Sequence, residues 1–368
     1  MNPRAHLSKL SSLALAPLLA SLTACSASGS EPDHVTPTDS AVTSDTAASD
    51  SIGVDTATDG GFIADAPPLD APTSVVQTIY ANTDDELYRM DPVAKTVALI
   101  GPFAGLDKSS GVAEAMTDVA VSEAGDVWGC SVSSGTNPGH IFSISVPVDV
   151  GEVVVTTRAS LSSKSRFYAL AFAPAGVLDT AEALVGGDSL GDLYLIPTTG
   201  TATPQNIGGF GVVAAGDPGS GATGNKWELS GDIAFFDNAG SPIGLATLRP
   251  CDVSTSTPKC DNTNDVVAEI DMAELAKKSP TAKLRKRFIG TKGTGYGRLF
   301  GIGAWSSSVF AFTRCTGGPP CTKPAQLIDV SLTTGSGTVI KGFPDIDAKG
   351  NGWSGAGVST KAKVDLPK

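Results

Sequence analysis

Histidine is nearly missing, with three residues in 368. That scarcity argues against histidine-built zinc sites and against imidazole catalysis. Charge is sparse too, at 17% of residues, and it leans one way: 26 Lys and Arg against 38 Asp and Glu, a formal net of -12. A chain of that sign is a poor partner for nucleic acid. Past residue 24 no apolar run approaches the roughly 20 residues that a membrane-spanning helix needs. The 42 glycines follow no three-residue period, which excludes a collagen-like helix. What remains is a light, glycine-rich and β-leaning composition, long enough for one large core or two small ones.

The amino end reads as an export signal over 1–24. Arg4 and Lys9 supply a basic start with no acid, and residues 10–24 are apolar apart from Ser, Thr and Pro17. The run ends Leu22-Thr23-Ala24-Cys25, which resembles the lipobox of bacterial lipoproteins. The resemblance implies cleavage before Cys25, a lipid on its sulfur and stable membrane attachment through two or three acyl chains. Ser26 then implies the outer membrane. Residues 25–74 hold nine acids, no Lys or Arg and little apolar periodicity, so they are expected to be a disordered acidic tether. This Ser/Thr/Asp/Pro composition is similar to that of surface lipoproteins of myxobacteria. The tether takes nine of the 38 acids, so the remainder is only mildly acidic.

From residue 75 to 368 the pattern changes to short apolar or alternating runs between Gly, Asp, Asn, Pro and Ser, as at 76–80, 86–90 and 96–100. An all-β domain follows, with one helical stretch at 272–278. Similar runs around Val119, Leu170, Ile233, Ile302 and Ala356 recur at spacings of 51 to 69 residues. Further strands follow the first four copies, none follows the last, and three open the domain. This resembles a β-propeller, and the resemblance implies one propeller of five blades, or six, closed by pairing of the N- and C-terminal strands.

Five cysteines fall in this domain. Cys251 with Cys260, and Cys315 with Cys321, bracket short loops at matching places and are expected to form disulfides after export. Cys130 is left over, and a Cys130–His140 nucleophile is the weak functional reading of it. Asp118 and Asp232 sit at matching positions before inner strands, either lining a channel mouth or binding neighbouring backbone. Residues 290–298 are glycine-rich but lack the strand-to-helix context of a phosphate loop. Residues 345–352 have two acids and a glycine of a calcium loop, yet Lys349 and Ala356 occupy ligand positions, so a turn is expected. Lys277, Lys278, Lys283, Arg285, Lys286 and Arg287 concentrate positive charge. Trp128, Trp227, Trp305 and Trp353 could form a carbohydrate platform, or pack.

The functional expectation is a lipid-anchored, extracytoplasmic propeller at the cell envelope. It acts as a binding or scaffold module for a protein or glycan, is a monomer, and needs no metal or cofactor. The alternatives are a propeller lyase or hydrolase with a channel site, and a purely structural envelope protein. A non-enzyme is favoured over an enzyme because no set of acids or histidines converges in the sequence.

Overall fold

The computed structural model describes residues 78–365, apart from 110–111, 134–137, 162–165, 202, 219–222, 255–257, 316–323 and 350–351. The signal at 1–24, Cys25 and the tether at 25–74 lie outside the described residues. No described helix is long and apolar enough to cross a membrane.

The domain is all-β. Its opening meander is β1 (Ile79–Asn82), β2 (Glu86–Asp91) and β3 (Thr96–Ala104), followed by β4 (Ala115–Val121), β5 (Val127–Val132), β6 (His140–Ser145) and β7 (Val153–Ser160). Next come β8 (Phe167–Ala173), β9 (Ala183–Asp188), β10 (Asp192–Leu195), β11 (Gly200–Thr201) and β12 (Gln205–Gly209). A third group holds β13 (Lys226–Phe236), β14 (Ile243–Asp252), β15 (Lys259–Cys260), β16 (Val266–Ile270), the short helix α1 (Met272–Leu275) and β17 (Arg285–Phe288). The last group is β18 (Leu299–Trp305), β19 (Ser308–Thr313), β20 (Gln326–Ser331), β21 (Gly337–Gly342), α2 (Pro344–Lys349) and β22 (Gly355–Val358). Asp271 caps α1 by accepting from the N–H groups of Ala273 and Glu274, so the expected helix forms for four residues. Residues 344–349 are helical where a turn was expected, which also removes the loop geometry a calcium site requires.

Hydrogen bonding organises these strands into four sheets rather than five separate blades. One follows the order β22-β1-β2-β3-β7-β6-β5-β4, with β11 added beside β7. The other three run β12-β10-β9-β8, β13-β14-β16-β17 and β18-β19-β20-β21. The expectation of a single propeller of five or six blades is corrected by the junction of β3 with β7, which pair in parallel through Phe103–Val153 and Ala104–Val154. β3 is nine residues long and runs past Ile100, where the expected strand ended. Two glycines let it reach its neighbour. The Gly151 N–H donates to the Ile100 carbonyl at 2.9 Å. A Cβ on Gly101 would stand 1.6 Å from the Gly151 carbonyl oxygen, so only glycine fits there. The eight-strand path also returns on itself. Its end strands touch through a parallel bridge between Val121 and Ser359, and a Cβ on Gly357 would lie 2.3 Å from the Val119 oxygen. The result is a nearly closed, barrel-like sheet beside three four-strand paths. The functions expected of a propeller fall with that architecture: the binding or scaffold module, and the lyase or hydrolase with a channel site.

Apolar packing links the sheets. Trp353 is fully buried and meets the rings of Tyr88, Phe312 and Phe343 at 5.0, 5.3 and 5.1 Å. It thereby joins β2, β19 and the segment after β21 ahead of β22. Trp227 is buried against Phe288, and Trp128 stands edge-on to Phe172 at 6.1 Å. These three tryptophans pack against neighbouring rings, the more ordinary of the two readings, so the four indoles do not form a carbohydrate platform.

Candidate functional site

Asp118 on β4 and Asp232 on β13 come together in the interior, both with no exposed surface. Neither lies at an open mouth. Asp118 accepts from the Val119 N–H at 2.8 Å and from the Leu170 N–H on β8 at 2.5 Å. Asp232 accepts from Ile233 at 2.6 Å, from Ile302 on β18 at 2.5 Å and from the backbone of Ala356 on β22. The carboxyls also bond to each other. Five strands from all four sheets therefore converge on one acid pair. Burial raises both carboxyl pKa values well above the usual range, and for Asp118 the neighbouring Asp232 charge adds to it. A bond between two carboxyls needs a proton. Asp232 has more backbone donors than Asp118, and burial favours keeping a proton on the pair. Inward-pointing N–H groups are the opposite of what a cation requires, and the pair acts as a structural clasp.

A second cluster surrounds Glu114, which precedes β4 and is 2% exposed. Its carboxylate accepts from Ser131 Oγ at 2.5 Å, from the Asp107 N–H at 2.9 Å and from His140 Nδ1 at 2.7 Å. Cys130 is not part of it. Successive strand residues face opposite sides, so Cys130 points away from Ser131 and bonds Thr117 Oγ1 at 3.1 Å. Burial pushes its thiol up to about 12, which leaves no thiolate for nucleophilic chemistry. The Cys130–His140 reading is thus corrected. Glu114 had no motif to announce it; it is a lone acid before an apolar strand.

The third feature is a cleft of about 360 Å³ between the β15–β16 connection and the last sheet. Asn262, Thr263, Tyr296, Thr313, Arg314 and Gln326 line it. The glycine-rich stretch 290–298 forms one wall as an irregular link from β17 to β18. Arg314 is held by Asp84 at 3.0 Å and donates to Ser354 Oγ at 3.1 Å. Its guanidinium lies over the Phe300 ring at 5.4 Å. Arg249 donates to Asn262 Oδ1 at 2.6 Å, and Arg298 donates to the Cys315 carbonyl at 2.5 Å. Behind this wall Asp265 is fully buried, accepting from the Leu299 N–H at 2.7 Å and from Ser230 Oγ. Burial pushes its carboxyl up to about 6.

Cys251 and Cys260 are joined by a disulfide across β14 and β15, as the spacing led us to expect. Cys315 is also in a disulfide, while Cys321, its expected partner, lies outside the described residues. The Glu228 carboxylate lies 3.3 Å from Cys260 Sγ. With both sulfurs spent in a bond, this group has no thiolates for a metal. The basic run is paired in part: Lys286 and Arg287 bind Glu269 at 2.7 and 2.5 Å, and Arg285 binds Asp217 at 2.7 Å.

No family model matches this chain, and no curated protein does. The resemblance to myxobacterial surface lipoproteins is therefore not upheld by any relative. Among solved structures, a protein of unknown function from Bacteroides caccae is 9% identical, with a TM-score of 0.39 over 77% of this chain and 98% of its own. A protein from Lactobacillus plantarum is 10% identical, with a TM-score of 0.36 over 76% and 98%. The calcium-binding protein regucalcin from Agrobacterium tumefaciens is 12% identical, with a TM-score of 0.31 over 64% of each chain. Likenesses this loose carry no argument about fold or function.

Proposed function

We propose that the domain binds a small, hydroxyl-bearing ligand in the cleft between Asn262 and Gln326 without transforming it. The observation that carries this reading is the lining itself. An aromatic ring from Tyr296 stands among amide, hydroxyl and guanidinium groups from Asn262, Thr263, Gln326 and Arg314, in a space of about 360 Å³. Rings that stack on a sugar face, with fixed donors and acceptors around them, are the means by which proteins hold polyols. The described lining residues include no carboxylate, imidazole or thiol, a set that favours recognition over acid–base chemistry. Titration calorimetry with short oligosaccharides tests this. Tyr296→Ala should weaken binding at least tenfold, and unchanged affinity in that variant would overturn the reading.

The same proposal places the domain outside the cytoplasm. The Cys251–Cys260 bond supports it, because such bonds persist in oxidising compartments. Alkylation of intact cells before lysis, followed by peptide mass analysis, should find both residues blocked from the reagent until a reductant is added. Alkylation without reductant would contradict it.

A further inference from the structure

We infer that the ligand of this cleft carries an oxyanion, a carboxylate or phosphate on a polyhydroxylated molecule, and that Arg298 with Arg314 and Arg249 selects it. The inference rests on the reading that the cleft is a ligand site. One guanidinium lines the cleft, and two more from separate parts of the chain stand close to it. Arg314 lines it, Arg298 follows the lining residue Gly297, and Arg249 holds the lining residue Asn262.

Their partners leave capacity for an anion. Among the described residues Arg314 is the one of the three with a carboxylate ion pair, to Asp84, and its side chain is 17% exposed. Arg298 spends one N–H on the Cys315 carbonyl, a neutral acceptor. Arg249 spends one on Asn262, and its buried Nε has no partner. The acids facing this group are Asp84, Asp261, Asp265 and Glu228. Asp265 and Glu228 are buried, at 0% and 2% exposure, whereas Arg314 lines the cleft. Burial raises the pKa of both, which weakens their hold on negative charge. Arg298, half buried, is depressed first by burial and then by the charges of Arg314 and Arg249. Like charges forced together in a cleft wall are relieved when an oxyanion enters between them, and a planar guanidinium fork matches carboxylate and phosphate oxygens.

Backbone geometry points the same way. Arg298 sits at φ 61°, the left-handed region that a long side chain occupies at a cost. That conformation turns the chain from the glycine-rich wall into β18 at the rim of the cleft.

The test is calorimetric titration of the full chain with trigalacturonate, glucose 6-phosphate and neutral maltotriose, in low and high salt. Trigalacturonate or glucose 6-phosphate should bind at least tenfold more tightly than maltotriose, with the margin shrinking as salt rises; which of the two binds identifies the anion. Arg298→Gln should erase that margin, and Arg249→Gln should reduce it. Thermal unfolding of each variant checks that the domain still folds. Equal affinity for all three probes would overturn the anion inference and leave the proposed cleft intact. Binding of none of them would overturn both.

Discussion

A buried carboxyl pair inverts the usual dependence of stability on pH. Asp118 and Asp232 are raised well above the ordinary value of 3.8, so the native state keeps a proton that the unfolded chain releases above about pH 4. That contribution is complete below the unfolded value and is lost as pH climbs through the folded one, by up to about 1.4 kcal/mol per pH unit for each extra proton held. Asp265, raised to about 6, acts in the same direction between 3.8 and 6. Glu269 acts oppositely: burial raises it, but Lys286 and Arg287 outweigh burial, so its share appears above the unfolded pKa and fades in acid. Asp118→Asn should therefore flatten the decline in urea midpoint between pH 5 and pH 8. It should also cost about 1–3 kcal/mol at pH 5, because the amide has one oxygen for the two N–H groups that Asp118 now satisfies. An unaltered slope would show that the pair holds no proton. The aspartates were visible in the sequence as matching acids before apolar runs. Their depth was not, because nothing local to either residue shows that strands from distant parts of the chain enclose it.

At the scale of elements, most strands were legible, since alternation and turn residues are local properties. The connection between β3 and β7 was not. It depends on Gly101 and Gly151 meeting across a gap of fifty positions in the chain, and each glycine alone reads as a turn or a weak strand. Gly101→Val should separate the two strands and destabilise the domain by about 1–3 kcal/mol, the range for overpacking a tight contact. Amide exchange should then accelerate at Phe103 and Ala104 more than in β19 or β20. Uniform acceleration would mean that the junction unfolds only with the whole domain. The arginine group shows the same limit. Arg249 lies on β14, Arg298 precedes β18 and Arg314 follows β19, and no motif joins them. The basic residues that cluster in the sequence, 285–287, instead hold Glu269 and Asp217.

Across the whole molecule the two ends of the domain are tied together. β1 pairs antiparallel with β22 from Ile79–Val358 to Asn82–Gly355, and Trp353 anchors the approach to that strand among three aromatic rings. Trp353→Ala should cost about 3–5 kcal/mol, as loss of a large buried aromatic does. Thermal unfolding should remain a single transition at lower temperature, since the clasp and the apolar core link all four sheets. Two separate transitions would show that the closing strand forms an independent unit. The sequence by itself determined that this domain is built of short strands and that Cys251 and Cys260 would join, because hydrophobic alternation, turn chemistry and short-loop spacing act over a few residues. Only the tertiary structure decided that β3 meets β7, that Asp118 and Asp232 are buried against each other, and that Arg249 and Arg298 come close to Arg314 beside one cleft. Those outcomes depend on backbone approach, burial and charge proximity between segments far apart in the chain, and no local pattern encodes such distances.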